Sequence, residues 1–324
     1  MLKNYFIGDA MSLQIFMTRK FQSLFFLIFS ILFVINYSLS EKKIIERTDE
    51  HQFSVQGGGT LILTSNIGDV QIVAGKPDEV SVKVKVKGVE KQVQKYVTNF
   101  DYKKDGNKVI VTGDYKRGLG EKIRFGIFRS SALDVKFIIS LPEQFFSEIT
   151  TAGGDVSIKG IKKKQIAKTS GGDVNIEDCN GELWLATSGG NMEVRNSNGK
   201  CNLRTSGGDI TIKNTVGELD VKTSGGNIVF DEVDGKLLGE TSGGKIDVRS
   251  KENKGMNLKT SGSDIVIKLS SSAKGVLDAS TFGGEVHCDL SIDAVGKSSK
   301  TKVKGNINGG GELMLLKTTG GDIK

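Results

Sequence analysis

From the middle of the chain onward, apolar residues recur two positions apart in short runs, and the runs recur at a fixed interval. Val174 and Ile176, Met192 and Val194, Ile210 and Ile212, Ile228 and Phe230, Ile246 and Val248, and Ile265 and Ile267 form one series. Leu183 and Leu185, Cys201 and Leu203, and Leu219 and Val221 form a second series between them. A period of two means a strand with one buried face. Glycines punctuate the runs. The pairs Gly153-Gly154, Gly171-Gly172, Gly189-Gly190, Gly207-Gly208, Gly225-Gly226 and Gly243-Gly244 follow one another at 18 residues, and single glycines at 181, 199, 217 and 235 lie between. Gly262-Ser263 comes after 19 residues, Gly283-Gly284 after 21 and Gly320-Gly321 after 37. Each unit therefore predicts a strand, a glycine corner, a second strand and a second glycine corner. A helix is excluded, because the spacing is two rather than 3.6.

Neither strand of a unit can bury its apolar face alone. If each 18-residue unit makes one coil, equivalent strands stack in parallel about 4.8 Å apart and their apolar residues meet inside. The fold class is all-β: a single-stranded parallel β-solenoid (β-helix) with 18-residue coils and an N-terminal β cap. The corners call for glycine because it takes positive φ without penalty. Stacking aligns equivalent residues into columns. Thr169, Thr187, Thr205, Thr223, Thr241 and Thr260 make a structural ladder. Asp155, Asp173, Asn191, Asp209, Asn227, Lys245 and Asp264 make another, in which Asn and Lys separate the carboxylates and the side chains bond back to their own turn. Two faults stand out. Gln165 takes an apolar position beside Lys162, Lys163 and Lys164, which predicts a bulged edge turn; Gly239 leaves an inward position empty.

Residues 41–150 read as an N-terminal β region holding the start of the solenoid and its cap, and 151–324 as the repeat. "GGGTLILTSNIGDVQI" at 57–72 is written like "GGGELMLLKTTGGDIK" at 309–324, so the same coil opens and closes the unit. Glu79 to Val86 predicts an edge strand with Lys83 and Lys85 on the wet face. Lys108 to Thr112 and Val135 to Leu141 predict further strands. Between them, Lys116, Arg117, Lys122, Arg124 and Arg129 interleave with Phe125 and Phe128; the run reads first as a glycine-containing hairpin whose charges are solvated, and as a candidate contact loop for an acidic partner.

Composition adds a destination. Arg19 and Lys20 precede an apolar run from Leu24 to Ile35, and Ser38 and Ser40 stand at small-residue cleavage positions, so 1–40 reads as a signal peptide, or an N-terminal anchor if uncleaved. The expected location is extracytoplasmic: periplasm, outer surface or secreted. The formal charge of +7 implies mild attraction to anionic surfaces and no nucleic-acid recognition. Cys179, Cys201 and Cys288 have no metal-like spacing and read as small apolar fillers.

Catalytic chemistry would have to stand out against the repeat. Glycoside cleavage wants two carboxyls about 5–10 Å apart, and Asp155 and Asp173 sit about one rung apart. Their equivalents are Asn and Lys, so turn chemistry explains them better. The corner lacks the nine-residue period of calcium rolls, and His287 beside Cys288 fits an outward–inward alternation. No phosphate- or dinucleotide-binding fingerprint occurs. No catalytic, metal or cofactor site is assigned.

"LPEQFFSEITTAGGDVSI" at 141–158, the repeated T-S-G-G-D motif and the closing "NGGGELMLLKTTGGDIK" resemble the bacterial putative-adhesin β-solenoid family, a domain of unknown function, over Phe53 to Lys324. The resemblance implies a parallel solenoid outside the cytoplasm and carries no catalytic residues. The expected function is non-enzymatic, an adhesin or envelope scaffold whose partner is a protein or polysaccharide. The alternatives are a carbohydrate-active enzyme on a β-helix and a structural protein self-associating through a bare C-terminal edge.

Overall fold

The computed structural model describes residues 43–115, 133–295 and 299–324. Ile45–Lys324 forms one compact unit, and the fold below is that of this unit. Residues 1–40, expected to be a signal peptide or anchor, lie outside the described residues.

The repeat folds at its own period. The double-glycine corners from Gly153-Gly154 to Gly243-Gly244, and Gly262-Ser263 after them, each lead into a strand of an 11-stranded sheet: β9 (Val156–Lys159), β11 (Val174–Glu177), β13 (Met192–Arg195), β15 (Ile210–Lys213), β17 (Ile228–Asp231), β19 (Ile246–Arg249) and β21 (Ile265–Lys268). The strands between belong to a 14-stranded sheet: β10 (Gln165–Lys168), β12 (Leu183–Ala186), β14 (Cys201–Arg204), β16 (Leu219–Lys222), β18 (Leu237–Glu240) and β20 (Met256–Lys259). Pairing is parallel and joins equivalents: Ile212 lies beside Val194 and Phe230, and Leu203 beside Leu185 and Val221. The inward residues of both sheets form one buried core. A residue's neighbour in that core is its own counterpart one coil away, which is why the chain repeats itself.

The glycine corners are of two kinds, and the expectation of positive φ holds for only one. Gly181, Gly199, Gly217 and Gly235 have φ of 117–151°. The residues three before them, Asp178, Asn196, Asn214 and Glu232, are left-handed as well, at 48–54°. The double glycines are not left-handed. The second of each pair is required by close approach: a Cβ on Gly208 would overlap the Gly190 carbonyl, whereas one on Gly207 would sit 3.6 Å from the nearest oxygen.

Both faults in the repeat have physical answers. β10 is neither bulged nor an edge: it pairs in register with β12 and with β8 (Phe146–Thr151). Gln165 is buried there because its amide is fully engaged, donating to the carbonyls of Phe145 (3.0 Å) and Lys164 (2.8 Å) and accepting from the Ser147 hydroxyl. The space at Gly239 is filled by its neighbour one coil on and by Phe230. A Cβ there would come within 2.9 Å of Leu258 Cδ2 and 3.3 Å of the Phe230 ring, the one aromatic among the inward residues of these repeat strands.

The two similarly written segments do not open and close the stack as expected: each is enclosed between other strands. β2 (Thr60–Ser65) lies between β8 and β6 (Lys108–Tyr115), and β3 (Asp69–Ala74) lies between β9 and β7 (Asp134–Leu141). The cap then reverses direction. β4 (Glu79–Val89) runs antiparallel to β7, and β5 (Val97–Asp105) antiparallel to β6. β4 is therefore not the edge strand expected from its lysines; β1 (Ile44–Ser54) lies outside it. A short helix, α1 (Glu90–Tyr96), joins β4 to β5. His51 of β1 stacks on Tyr102 of β5 at 3.8 Å between centroids, and burial, with the nearby Asp49 carboxylate, pushes the Tyr102 phenol up to about 12.

At the other end, β25 (Leu313–Lys317) is paired on both sides, with β20 and with β22 (Gly275–Ser280). The bare C-terminal edge expected at Lys324 is thus absent: Ile323 bridges Ile265 and Val286. Antiparallel β24 (Lys302–Ile307) and β23 (Ile292–Ala294) continue the larger sheet beyond β22.

Candidate interaction surface

The two repeated columns face other coils rather than a partner. Thr169, Thr187, Thr205, Thr223, Thr241 and Thr260 are buried. Each hydroxyl donates to a carbonyl of the corner one coil back, for example Thr205 Oγ1 to Gly190 at 3.0 Å and Thr260 Oγ1 to Gly244 at 2.7 Å. From Thr169 to Thr241 the same oxygen accepts the N–H of the glycine three residues on, Gly208 N–H donating to Thr205 Oγ1 at 3.4 Å. Thr151, Thr281 and Thr318 extend the ladder toward both ends.

The Asp/Asn column also joins coils, and this corrects the expectation that its side chains fold back onto their own turn. Asp155 Oδ1 accepts from Asp173 N (2.8 Å), Asp173 from Asn191 N (2.7 Å), Asn191 from Asp209 N (2.9 Å), Asp209 from Asn227 N (2.6 Å) and Asn227 from Lys245 N (2.8 Å). Lys245 has no side-chain oxygen, so the series stops there and resumes between Asp264 and Asp322 at 2.8 Å. The Asp155 and Asp173 carboxylates, one rung apart, are held by backbone N–H groups.

What varies from coil to coil points outward. On the 14-stranded sheet one outward column reads Glu148, Ile166, Trp184, Asn202, Asp220, Leu238 and Asn257 along consecutive rungs. Trp184, the chain's sole tryptophan, is 40% exposed there. Its ring lies against a charged pair. The Lys164 ammonium lies 5.4 Å from the ring centroid and pairs with Glu182 at 2.9 Å. Lys164 and then the Trp184 indole N–H, both donating to it, hold the Glu182 carboxyl below its ordinary range. On the next rung Arg204 pairs with Asp220 at 2.6 Å and also donates to the Asp220 carbonyl. Sequence reasoning passed over Trp184, although the inward Leu183 and Leu185 already place it outside.

The interleaved basic and aromatic segment, Lys116, Arg117, Lys122, Arg124, Phe125, Phe128 and Arg129, lies outside the described residues. Of the cysteines, Cys179 and Cys201 are buried core residues, and burial pushes the Cys201 thiol up to about 12. Cys288 is exposed, contrary to its reading as a filler. It stands on the wall of a cleft of about 270 Å³ between the sheets, beside Leu277, Leu316 and Ile323. The neighbouring His287 lies 3.6 Å from Glu285. Among the described residues no three His, Cys, Asp or Glu side chains gather as metal ligands, and no helix is long and apolar enough to cross a membrane.

Stacked coils, two sheets whose repeat strands pair in parallel and ladders joining equivalent residues define a β-solenoid. Residues 60–324 match the family model described as Toastrack DUF4097, and the chain belongs to that family. No curated protein matches the chain. Among solved structures, it is similar to a putative adhesin from Bacteroides fragilis (15% identity, 88% of this chain and 97% of that one, TM-score 0.39). It is also similar to a putative adhesin from Parabacteroides distasonis (11%, 86% and 97%, 0.41) and to a putative cell adhesion protein from Clostridium sporogenes (11%, 86% and 98%, 0.24).

Proposed function

We propose that the chain is an exported, non-enzymatic adhesin or envelope scaffold that holds a protein or polysaccharide of the cell envelope against the outer faces of its sheets. One observation carries this reading: the residues that repeat are inside or in the corners, and the residues that vary are outside. The threonine and Asp/Asn columns are consumed in joining coils, so their regularity serves the fold. The outward column through Trp184 changes chemistry at every rung, as a surface fitted to one extended partner would. Stacked coils offer such a partner a rigid face with contacts about 4.8 Å apart. Export rests on the basic start and apolar run at residues 19–35.

Protease shaving of intact cells tests the reading. Mass spectrometry is expected to find peptides from residues 41–324 among the released material while a periplasmic control protein stays whole. Protection until the outer envelope is opened would sink adhesion at the surface.

A further inference from the structure

Phe282 is the most exposed large apolar side chain among the described residues, at 85%. It follows Thr281, whose hydroxyl donates to the Gly321 carbonyl as the other ladder threonines do to their corners. The position after the ladder threonine holds serine in the six coils from Ser170 to Ser261 and threonine at Thr319. The fold therefore asks for no ring at this corner. A lone exposed ring calls for no explanation; the charge beside it does. Lys259, Lys317 and Lys302 are exposed at the end of the larger sheet. Lys259 pairs in register with Lys317, Lys317 with Ser280, and Ser280 with Lys302. The strand that leads into Phe282 thus runs between two of the three lysines. Among the described residues none of the three makes an ion pair, because the carboxylates around them are taken. Glu240 is held by Lys222 at 2.8 Å, Asp278 by Lys304 at 3.3 Å, Glu285 by Lys300 at 3.1 Å and Asp322 by Lys324 at 3.0 Å. Asp264 accepts the Asp322 N–H. Like charges on neighbouring strands cost stability, so three uncompensated ammonium groups beside a bare ring serve something other than the fold.

We propose that this corner rests on an anionic lipid surface, with the Phe282 ring in the headgroup boundary and the ammonium groups of Lys259, Lys302 and Lys317 on lipid phosphates. The contact goes beyond the adhesive reading and does not depend on it, since it uses a corner between the sheets and leaves their outer faces free. A soluble acidic polysaccharide would satisfy the lysines and leave the ring in water. A protein anchored on the ring would need apolar contacts around it, and the neighbouring corner residues are Ser261 and Thr319.

Co-sedimentation with lipid vesicles tests the contact. Residues 41–324 hold the compact unit and omit the apolar run at 24–35, which would bind vesicles by itself. This protein is expected to sediment with vesicles of mixed phosphatidylglycerol and phosphatidylcholine, less as salt is added, and not with phosphatidylcholine alone. Phe282→Ser restores the residue of the other corners, so its thermal midpoint stays at the wild-type value while vesicle affinity falls at least about tenfold. Lys317→Gln is expected to lose about fivefold, and Trp184→Ala, away from the corner, nothing. No sedimentation, equal binding to neutral vesicles, or wild-type affinity in Phe282→Ser overturns the proposal. So does binding to soluble polygalacturonate as tight as to vesicles and indifferent to Phe282→Ser, which would assign the lysines to a polysaccharide. The adhesive reading stands or falls separately, on the release of surface peptides.

Discussion

The missing Cβ of a glycine lets one corner close onto the next. The carbonyl of Gly190 accepts the Thr205 hydroxyl, and the space in front of it is what a Cβ on Gly208 would occupy. Gly208→Ala therefore forces one coil away from the next, at an expected cost of about 1–3 kcal/mol or more, the range of overpacked interiors. Gly207→Ala, adjacent in sequence, brings a Cβ only to ordinary contact distance, 3.6 Å from the Gly189 carbonyl oxygen, and is expected to stay within about 0.5 kcal/mol of wild type. Denaturant midpoints of the two variants check this; equal losses would mean that the pair acts through flexibility instead. The sequence marks both glycines alike. Only the distance to the coil below tells them apart, and nothing local in the chain encodes that distance.

The ladders act at the scale of the element. Each Asp or Asn at the head of a strand satisfies the N–H that begins the equivalent strand one coil on, so a single side chain terminates one corner and starts the next. Lys245 interrupts the series. Lys245→Asn supplies the missing oxygen for the N–H of Asp264 and is expected to raise stability by about 0.5–1 kcal/mol, the net worth of one hydrogen bond. The Lys245–Asp247 pair lost in exchange is solvent-exposed at 2.9 Å and contributes little. An unchanged or lowered denaturation midpoint would contradict the ladder's role. Columns and strands were legible because their period is written into the chain. The direction of the Asp and Asn hydrogen bonds was not, since a short polar side chain at a corner reaches its own turn and the neighbouring coil equally well. Gln165 misled for a related reason: a polar residue at a core position reads as a defect until its partners, Ser147 and the carbonyls of Phe145 and Lys164, are known.

At the scale of the whole molecule, the order of the coils along the stack is not the order of the chain. β2 and β25 are each enclosed by strands that come from elsewhere in the sequence, so both ends are closed by chain reversals that no period announces. Their similar wording, GGGTLILT and GGGELMLL, was readable as the same coil; their burial between neighbours was not. The repeat between them has one inside and one outside, and every claim about surface or partner depends on that division. The most direct test places the same charge on adjacent residues of β15. Ile212 is fully buried and Thr211 faces outward on the same strand. Ile212→Asp puts an unpaired carboxylate in the core and is expected to cost several kcal/mol, whereas Thr211→Asp is expected to stay within about 0.5 kcal/mol. That asymmetry in thermal or denaturant unfolding is the predicted result; equal destabilisation, or a greater loss for Thr211→Asp, would contradict the coil register.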